Sequence, residues 1–236
     1  MFLFFQGEGN DFAGTRMEET SAYIRKWIKK GLSKDGKTLD FSNRKIGRQE
    51  ALDLAEFVSV PGVEVMYMHE AWLKDLYLEE LAGSDFFPQS LRELWLYKNK
   101  FGDAGAKALA HCEKLSNLQY LSLYSNKITG EGAAQLANSP ILSNLETLDL
   151  SFNRVGDAGA AALANSPCLK KLKVLHLDAN GIGYQGMKAL GESTALKSLT
   201  TLNITHNRMD IEGLELMKES RLLQSLEILK TDFLDD

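Results

Sequence analysis

Five asparagines, Asn99, Asn126, Asn153, Asn180 and Asn207, follow one another at intervals of 27 residues without a slip. A unit of that length holds one short strand and one short helix. It has no core of its own, so stacking on its neighbours must supply one. Each asparagine closes the pattern L-x-x-L-x-L-x-x-N. The first copy uses Leu91, Leu94 and Leu96, the next Leu118, Leu121 and Leu123, and the third Leu145, Leu148 and Leu150. Leu172, Leu175 and Leu177 follow, and Leu199, Leu202 and Ile204 make the fifth. Other columns keep step: the apolar Phe101, Ile128, Val155, Ile182 and Met209, and the glycines Gly105, Gly132, Gly159, Gly186 and Gly213.

The leucines of L-x-L alternate with variable residues, the period-2 signature of a strand with one buried face. Asparagine both donates and accepts, so it can satisfy the backbone of a neighbouring coil at the turn that follows. The stretch G-D-A-G-A-x-A-L-A then reads as a helix start. Asp103 and Asp157 stand where an N-cap would accept backbone N–H groups. Ala106, Leu109 and Ala110 share one helical face, and their small size lets the helix lie close to the strand layer.

The frame weakens toward both ends. Met66, Met68 and Ala71, and before them Leu39, Phe41 and Arg44, continue the columns without the asparagine, and Leu226 and Leu229 open an eighth strand. The count is about seven repeats plus a partial one. Residues 18–32 read as a helix with an apolar stripe of Ile24, Trp27 and Ile28, and Gly31 is placed as its C-cap. The organisation expected is a tail or cloning scar over 1–16, an N-terminal cap helix over 17–35 and a repeat region over 36–236, the last two forming a single domain. The rival role for the helix is a membrane-surface segment, because Arg25, Lys26, Lys29 and Lys30 fill its other face. Capping is preferred, because an open solenoid end exposes its core.

The pattern LxxLxLxxN followed by GDAGAxALA resembles the ribonuclease-inhibitor-like class of leucine-rich repeats, closely over 91–223 and loosely over 36–90. The resemblance implies an α/β fold: a right-handed curved solenoid with parallel strands on the concave face and helices on the convex face. It also implies a protein partner bound on the concave face.

The alternation identifies what that face displays. Tyr67, Trp95, Tyr97, Tyr120, Tyr124 and Phe152 fall on four adjacent strands, and strands about 4.8 Å apart bring such rings into one patch. Exposed aromatics with polar tips are the stuff of interface hot spots. Asp149, His176 and Asp178 make the adjoining zone polar. These nine residues are the candidate partner-binding set. The competing role for the rings is to stack on one another and stabilise the strand ladder.

Catalysis finds little support. Asp149 and Asp178 could orient His176, but no serine or cysteine completes a triad. His206 and His176 stand too far apart to share a zinc ion, whose bonds are about 2 Å. No P-loop or H-E-x-x-H is present. The expectation is a non-catalytic scaffold, inhibitor or adaptor with no cofactor and no metal, binding another protein or a second copy of itself. An alternative is a regulator of a GTPase acting in trans, for which Arg92, Asn126 and Arg154 are candidates. A further alternative is membrane association through the basic helix. The net charge of −5 argues against a general nucleic-acid binder. Cys112 and Cys168 lie two repeats apart in different columns, beyond bridging distance. Two free thiols point to a reducing compartment, the cytoplasm. No stretch is long enough to span a membrane.

Overall fold

The computed structural model describes residues 22–57, 59–220 and 226–232. The expected tail, the first residues of the expected cap helix (17–21) and the end of the closely matching stretch, residues 221–223, lie outside that range. Eight three-residue strands form one parallel sheet in sequence order: β1 (Thr38–Asp40), β2 (Val65–Tyr67), β3 (Glu93–Trp95), β4 (Tyr120–Ser122), β5 (Thr147–Asp149), β6 (Val174–His176), β7 (Thr201–Asn203) and β8 (Ile228–Lys230). The register is one-to-one, with the central residues Leu39, Met66, Leu94, Leu121, Leu148, Leu175, Leu202 and Leu229 aligned in a row. Each of the first seven strands is followed by a helix: α2 (Arg48–Ala55), α3 (Asp75–Ala82), α4 (Asp103–Ala110), α5 (Gly130–Ala137), α6 (Gly156–Ala164), α7 (Tyr184–Gly191) and α8 (Ile211–Lys218). The described residues form an α/β solenoid of seven strand–helix coils and an eighth strand.

The core lies between sheet and helices. Leu94, Leu96, Phe101, Ala106 and Leu109 are fully buried in one coil, and Leu148, Leu150, Ala160 and Leu163 in another. The step from β2 to β3 is one residue longer than the repeat, Val65 pairing with Glu93, and the added length accompanies Phe86 and Phe87, which are buried and meet edge-on at 5.2 Å.

The asparagine column does what its chemistry allows. Asn99 Nδ2 donates to the carbonyls of Met68 and Leu96, both at 2.9 Å, and its Oδ1 accepts the N–H groups of Ala71 and Leu73 at 3.0 Å. Asn153, Asn180 and Asn207 repeat the arrangement, each tying its coil to the preceding one. Asn126 keeps only the donor half. Its Nδ2 reaches the Leu96 and Leu123 carbonyls, while its buried Oδ1 has no partner. The residue before each of these positions adopts a left-handed backbone, at Asn43, Glu70, Lys98, Ser125, Phe152, Ala179 and His206.

Two local expectations are corrected. Asp103 and Asp157 are not N-caps of their own helices, whose N-cap residues are Gly102 and Val155 and make no side-chain cap. Their carboxylates reach across to the next coil. Asp103 accepts from the Thr129 N–H, the Thr129 hydroxyl and the Gly132 N–H, and Asp157 accepts from the Gly183 N–H. Asp75 likewise holds Gly102 and Gly105. The aspartate lies in the first turn of its own helix, so its side chain leans toward the neighbouring helix start. A glycine there is needed because a Cβ on Gly132 would lie 2.5 Å from Asp103 Oδ1.

The second correction concerns α1 (Ala22–Gly31). Gly31 is not a left-handed C-cap; it is the last helical residue, and a Cβ there would lie 2.2 Å from the Asp40 carbonyl oxygen. Its glycine lets the helix end press against β1. Ile24 and Ile28 are buried in the solenoid, Trp27 is half-buried beneath the Arg44 guanidinium, and Tyr23 donates to Asp53 on α2. The apolar stripe that a membrane-surface helix would insert is therefore occupied by packing, and the four cations remain exposed.

Candidate functional site

The outward strand positions form rows across the sheet because the register is exact from β1 to β8. One row runs Asp40, Tyr67, Trp95, Ser122, Asp149, His176 and Asn203. The next runs two residues further along the chain and carries His69, Tyr97, Tyr124, Ser151, Asp178 and Thr205.

The six aromatic candidates do come together. Trp95 stacks on Tyr120 at 4.2 Å and meets Tyr67 at 5.7 Å and Tyr97 at 6.3 Å. Tyr97 continues to Tyr124 at 6.5 Å, and Tyr124 to Phe152 at 5.1 Å. A seventh ring completes the network. His69 lies flat on Tyr97, with centroids 4.1 Å apart and planes 7° apart, and also meets Tyr67 edge-on. The nine residues expected from the sequence do not include His69. Its position in the same row as Tyr97 and Tyr124 was the available signal.

The patch is less open than the alternation implies. Phe152 is 48% exposed, but the other rings are half-buried against one another. Ser122 and Ser151, outward by alternation, are covered by their neighbours. Burial has chemical consequences. It pushes the Tyr120 phenol up to about 12, helped by the Asp149 and Glu93 carboxylates. It also raises Tyr97, with Glu70 adding to the effect, and lowers His69, which favours a neutral imidazole on Tyr97.

The polar zone is already organised. Asp178 Oδ1 accepts from the Ser151 hydroxyl at 2.5 Å and from Asn203 Nδ2 at 2.9 Å. Asp149 accepts from the Ser151 N–H at 2.9 Å and, weakly, from the Ser122 hydroxyl at 3.4 Å. The two carboxylates are thus engaged by strand-face neighbours. Among the described residues no three of His, Cys, Asp and Glu converge as metal ligands.

The residues considered for action in trans do not converge either. Arg92 precedes β3 and Arg154 follows β5, so they lie exposed on opposite edges of the sheet, and the Asn126 amide is committed to backbone carbonyls. Cys112 is buried, with its thiol pushed up by burial, and Cys168 is half-buried rather than fully buried; both are free. Among the described residues no helix is long and apolar enough to cross a membrane.

Comparison with solved structures gives an internalin from Listeria monocytogenes, 18% identical, with a TM-score of 0.44 over 84% of this chain and 67% of that one. It also gives leiomodin-1 actin-binding site 2, 22% identical, with a TM-score of 0.34 over 44% of this chain and 61% of that one. No curated protein matches the sequence. A family model described as Leucine Rich repeat matches residues 87–110, 114–137, 142–164, 168–191 and 195–217, together half of the chain. Each match runs from before a strand to the end of the following helix, so model and coils share one register, and the chain belongs to the leucine-rich-repeat family.

Proposed function

We propose that this protein is a non-catalytic binding module that holds a partner protein on its strand face. Tyr67, Trp95, Tyr97, Tyr120, Tyr124 and Phe152 form the anchor, and Asp149, His176 and Asp178 lie in the polar flank. The observation that carries this reading is the seven-ring network over β2–β5. Large rings that already restrain one another lose little freedom on binding, which favours their use as anchors. The hydrogen-bonded serines, aspartates and asparagine beside them supply a flank of fixed geometry. A role as scaffold, inhibitor or adaptor fits this division, as does self-association through the same face. The repeat pattern supports placement in the ribonuclease-inhibitor-like class, and the two free cysteines fit a cytoplasmic setting.

The test is affinity capture with quantitative mass spectrometry, comparing the wild type with the double variant Trp95→Ala, Tyr124→Ala. Circular dichroism establishes that the variant folds, and sedimentation velocity reports self-association. Loss of a specific partner, or of a dimer, in the folded variant supports the proposal. Identical capture and sedimentation by both proteins would overturn it.

A further inference from the structure

Another row runs along the solenoid's edge, at the turn that leads from each strand to its helix. The residue after each asparagine position is Lys45, Trp72, Lys100, Lys127, Arg154, Gly181 and Arg208 in successive coils. The backbone holds this row in step. The N–H groups of Lys100, Lys127 and Arg154 donate to the carbonyls of Leu73, Phe101 and Ile128 in the preceding coil, at 2.8–2.9 Å. Their side chains therefore leave the rim at one-coil intervals, close to the inter-strand spacing of about 4.8 Å.

Like charges so placed repel. Other same-row neighbours show the opposite arrangement: Lys37 pairs with Glu64 at 3.0 Å, Lys98 with Glu70 at 3.3 Å and Lys173 with Glu146 at 2.8 Å. Among the described residues Lys45, Lys100, Lys127 and Arg154 form no salt bridge. The nearby Asp75, Asp103 and Asp157 carboxylates are turned inward to the following helix starts. The cationic stretch fades beyond Gly181, where Asp210 and Glu212 follow Arg208.

The same rim collects exposed apolar side chains. Of the five large ones exposed among the described residues, Trp72, Leu76, Phe152 and Ile211 lie at this strand-to-helix turn. Trp72 is 50% exposed with a left-handed backbone, and Lys45 and Lys100 approach its ring at 5.5 and 3.5 Å. Leu76 is 51% exposed at the start of α3. A row of cations interleaved with an exposed tryptophan and leucine matches what an anionic bilayer surface binds: headgroup charge outside, an interfacial layer for the ring beneath. A nucleic-acid strand would use the cations and stack on the rings but gain little from Leu76.

We propose that this rim docks the protein on anionic phospholipid, with Trp72 and Leu76 entering the interfacial layer and Lys100, Lys127 and Arg154 lying on the headgroups. The proposed contacts, Trp72, Leu76, Lys100, Lys127 and Arg154, lie outside the strand-face set and the basic side of α1, although Phe152 of that set adjoins Arg154 on the same rim.

The experiment is co-sedimentation of the full chain with vesicles of phosphatidylcholine and phosphatidylserine, against phosphatidylcholine alone, over a salt series. Binding is expected only to the mixed vesicles and is expected to weaken with salt. The variant Lys100→Glu, Lys127→Glu, Arg154→Glu should lower partitioning roughly 100-fold, at about fivefold per cation. The variant Lys100→Gln, Lys127→Gln, Arg154→Gln preserves size should charge reversal disturb folding. Trp72→Ala with Leu76→Ala should also weaken binding, while Trp95→Ala with Tyr124→Ala should not, which separates this proposal from the partner site. The proposal is overturned if wild type ignores the anionic vesicles, or if binding survives both rim variants. It is equally overturned if binding is lost only on Lys26→Glu, Lys29→Glu, Lys30→Glu in α1, or if a single-stranded oligonucleotide or polyglutamate binds the rim more tightly than the vesicles at the same salt.

Discussion

The carboxylate of Asp103 accepts the N–H of Gly132 at 3.0 Å, from a helix that belongs to the next coil. The same oxygen accepts the Thr129 N–H at 2.7 Å, and the other carboxylate oxygen takes the Thr129 hydroxyl at 2.6 Å. A helix start leaves its first N–H groups without intrahelical partners. Here the previous coil satisfies them, so capping and coil-to-coil cohesion are one interaction.

Asp103→Ala should therefore cost about 2–3 kcal/mol, more than an ordinary cap, because three donors lose their acceptor at once. Asp157 holds a single N–H, that of Gly183, so Asp157→Ala should cost about 1 kcal/mol. Urea denaturation of the two variants measures the difference. Equal midpoints would mean that the extra bonds of Asp103 contribute nothing.

The asparagine column offers an internal comparison. Asn153→Ala orphans the Ile128 N–H and takes one of two amide donors from each of the Leu123 and Leu150 carbonyls, an expected loss of about 2–3 kcal/mol. Asn126→Ala removes donors to the Leu96 and Leu123 carbonyls but no acceptor, since Oδ1 has no partner. It should cost about 1 kcal/mol less. Thermal and urea unfolding would both report the ordering, and a reversed ordering would refute the role assigned to Oδ1.

Much of the fold is legible in these columns because a solenoid repeats one local solution. A buried leucine at Leu94 implies one at Leu121 and Leu148, and a shared interval implies a shared register. What sequence leaves out is direction across coils. Asp103 and Gly132 are 29 positions apart, and nothing local says that the carboxylate leans forward rather than back onto its own helix. A serine column at Ser139, Ser166 and Ser193 shares the 27-residue spacing, and each hydroxyl donates to a carbonyl of the preceding coil. The candidate site divides the same way. Alternation brings the six rings to one face, but their half-burial and the stacking of His69 on Tyr97 depend on side-chain packing. The rim row at Lys100, Lys127 and Arg154 is periodic too, but its lack of salt bridges among the described residues depends on the inward turn of the Asp75, Asp103 and Asp157 carboxylates.

Tyr120 gives the aromatic patch a spectroscopic signature. Its phenol is raised to about 12, first by burial among the rings and then by the Asp149 and Glu93 carboxylates. In the unfolded chain the group ionises near pH 10. Between these values the unfolded state has released the proton and the folded state has not, so stability should fall as pH rises from 10 to about 12. Below pH 10 both states are neutral and this group adds no pH dependence. Phenolate absorbance should show late titration from Tyr120 and from Tyr97, which burial also raises, and Asp149→Asn should bring the Tyr120 component earlier. Late absorbance undiminished in Tyr120→Phe would assign the signal elsewhere.

Phe152 separates stability from surface function. Its φ of 56° lies in the left-handed region, where a side chain other than glycine or asparagine is strained by about 1–2 kcal/mol. Against this stands the contact with the Tyr124 ring at 5.1 Å, of about 0.5–1.5 kcal/mol. Phe152→Asn relieves the first and forfeits the second, so the net change in unfolding free energy should stay within about 1 kcal/mol. Trp95→Ala, by contrast, breaks the stack with Tyr120 and leaves a half-buried gap, with an expected loss of about 3 kcal/mol. If Phe152 is kept at a strained position for what it contacts outside the chain, Phe152→Asn should weaken partner capture with little change in the urea midpoint. A large loss of stability in Phe152→Asn would show instead that the ring serves the ladder, and unaltered capture would remove Phe152 from the binding surface.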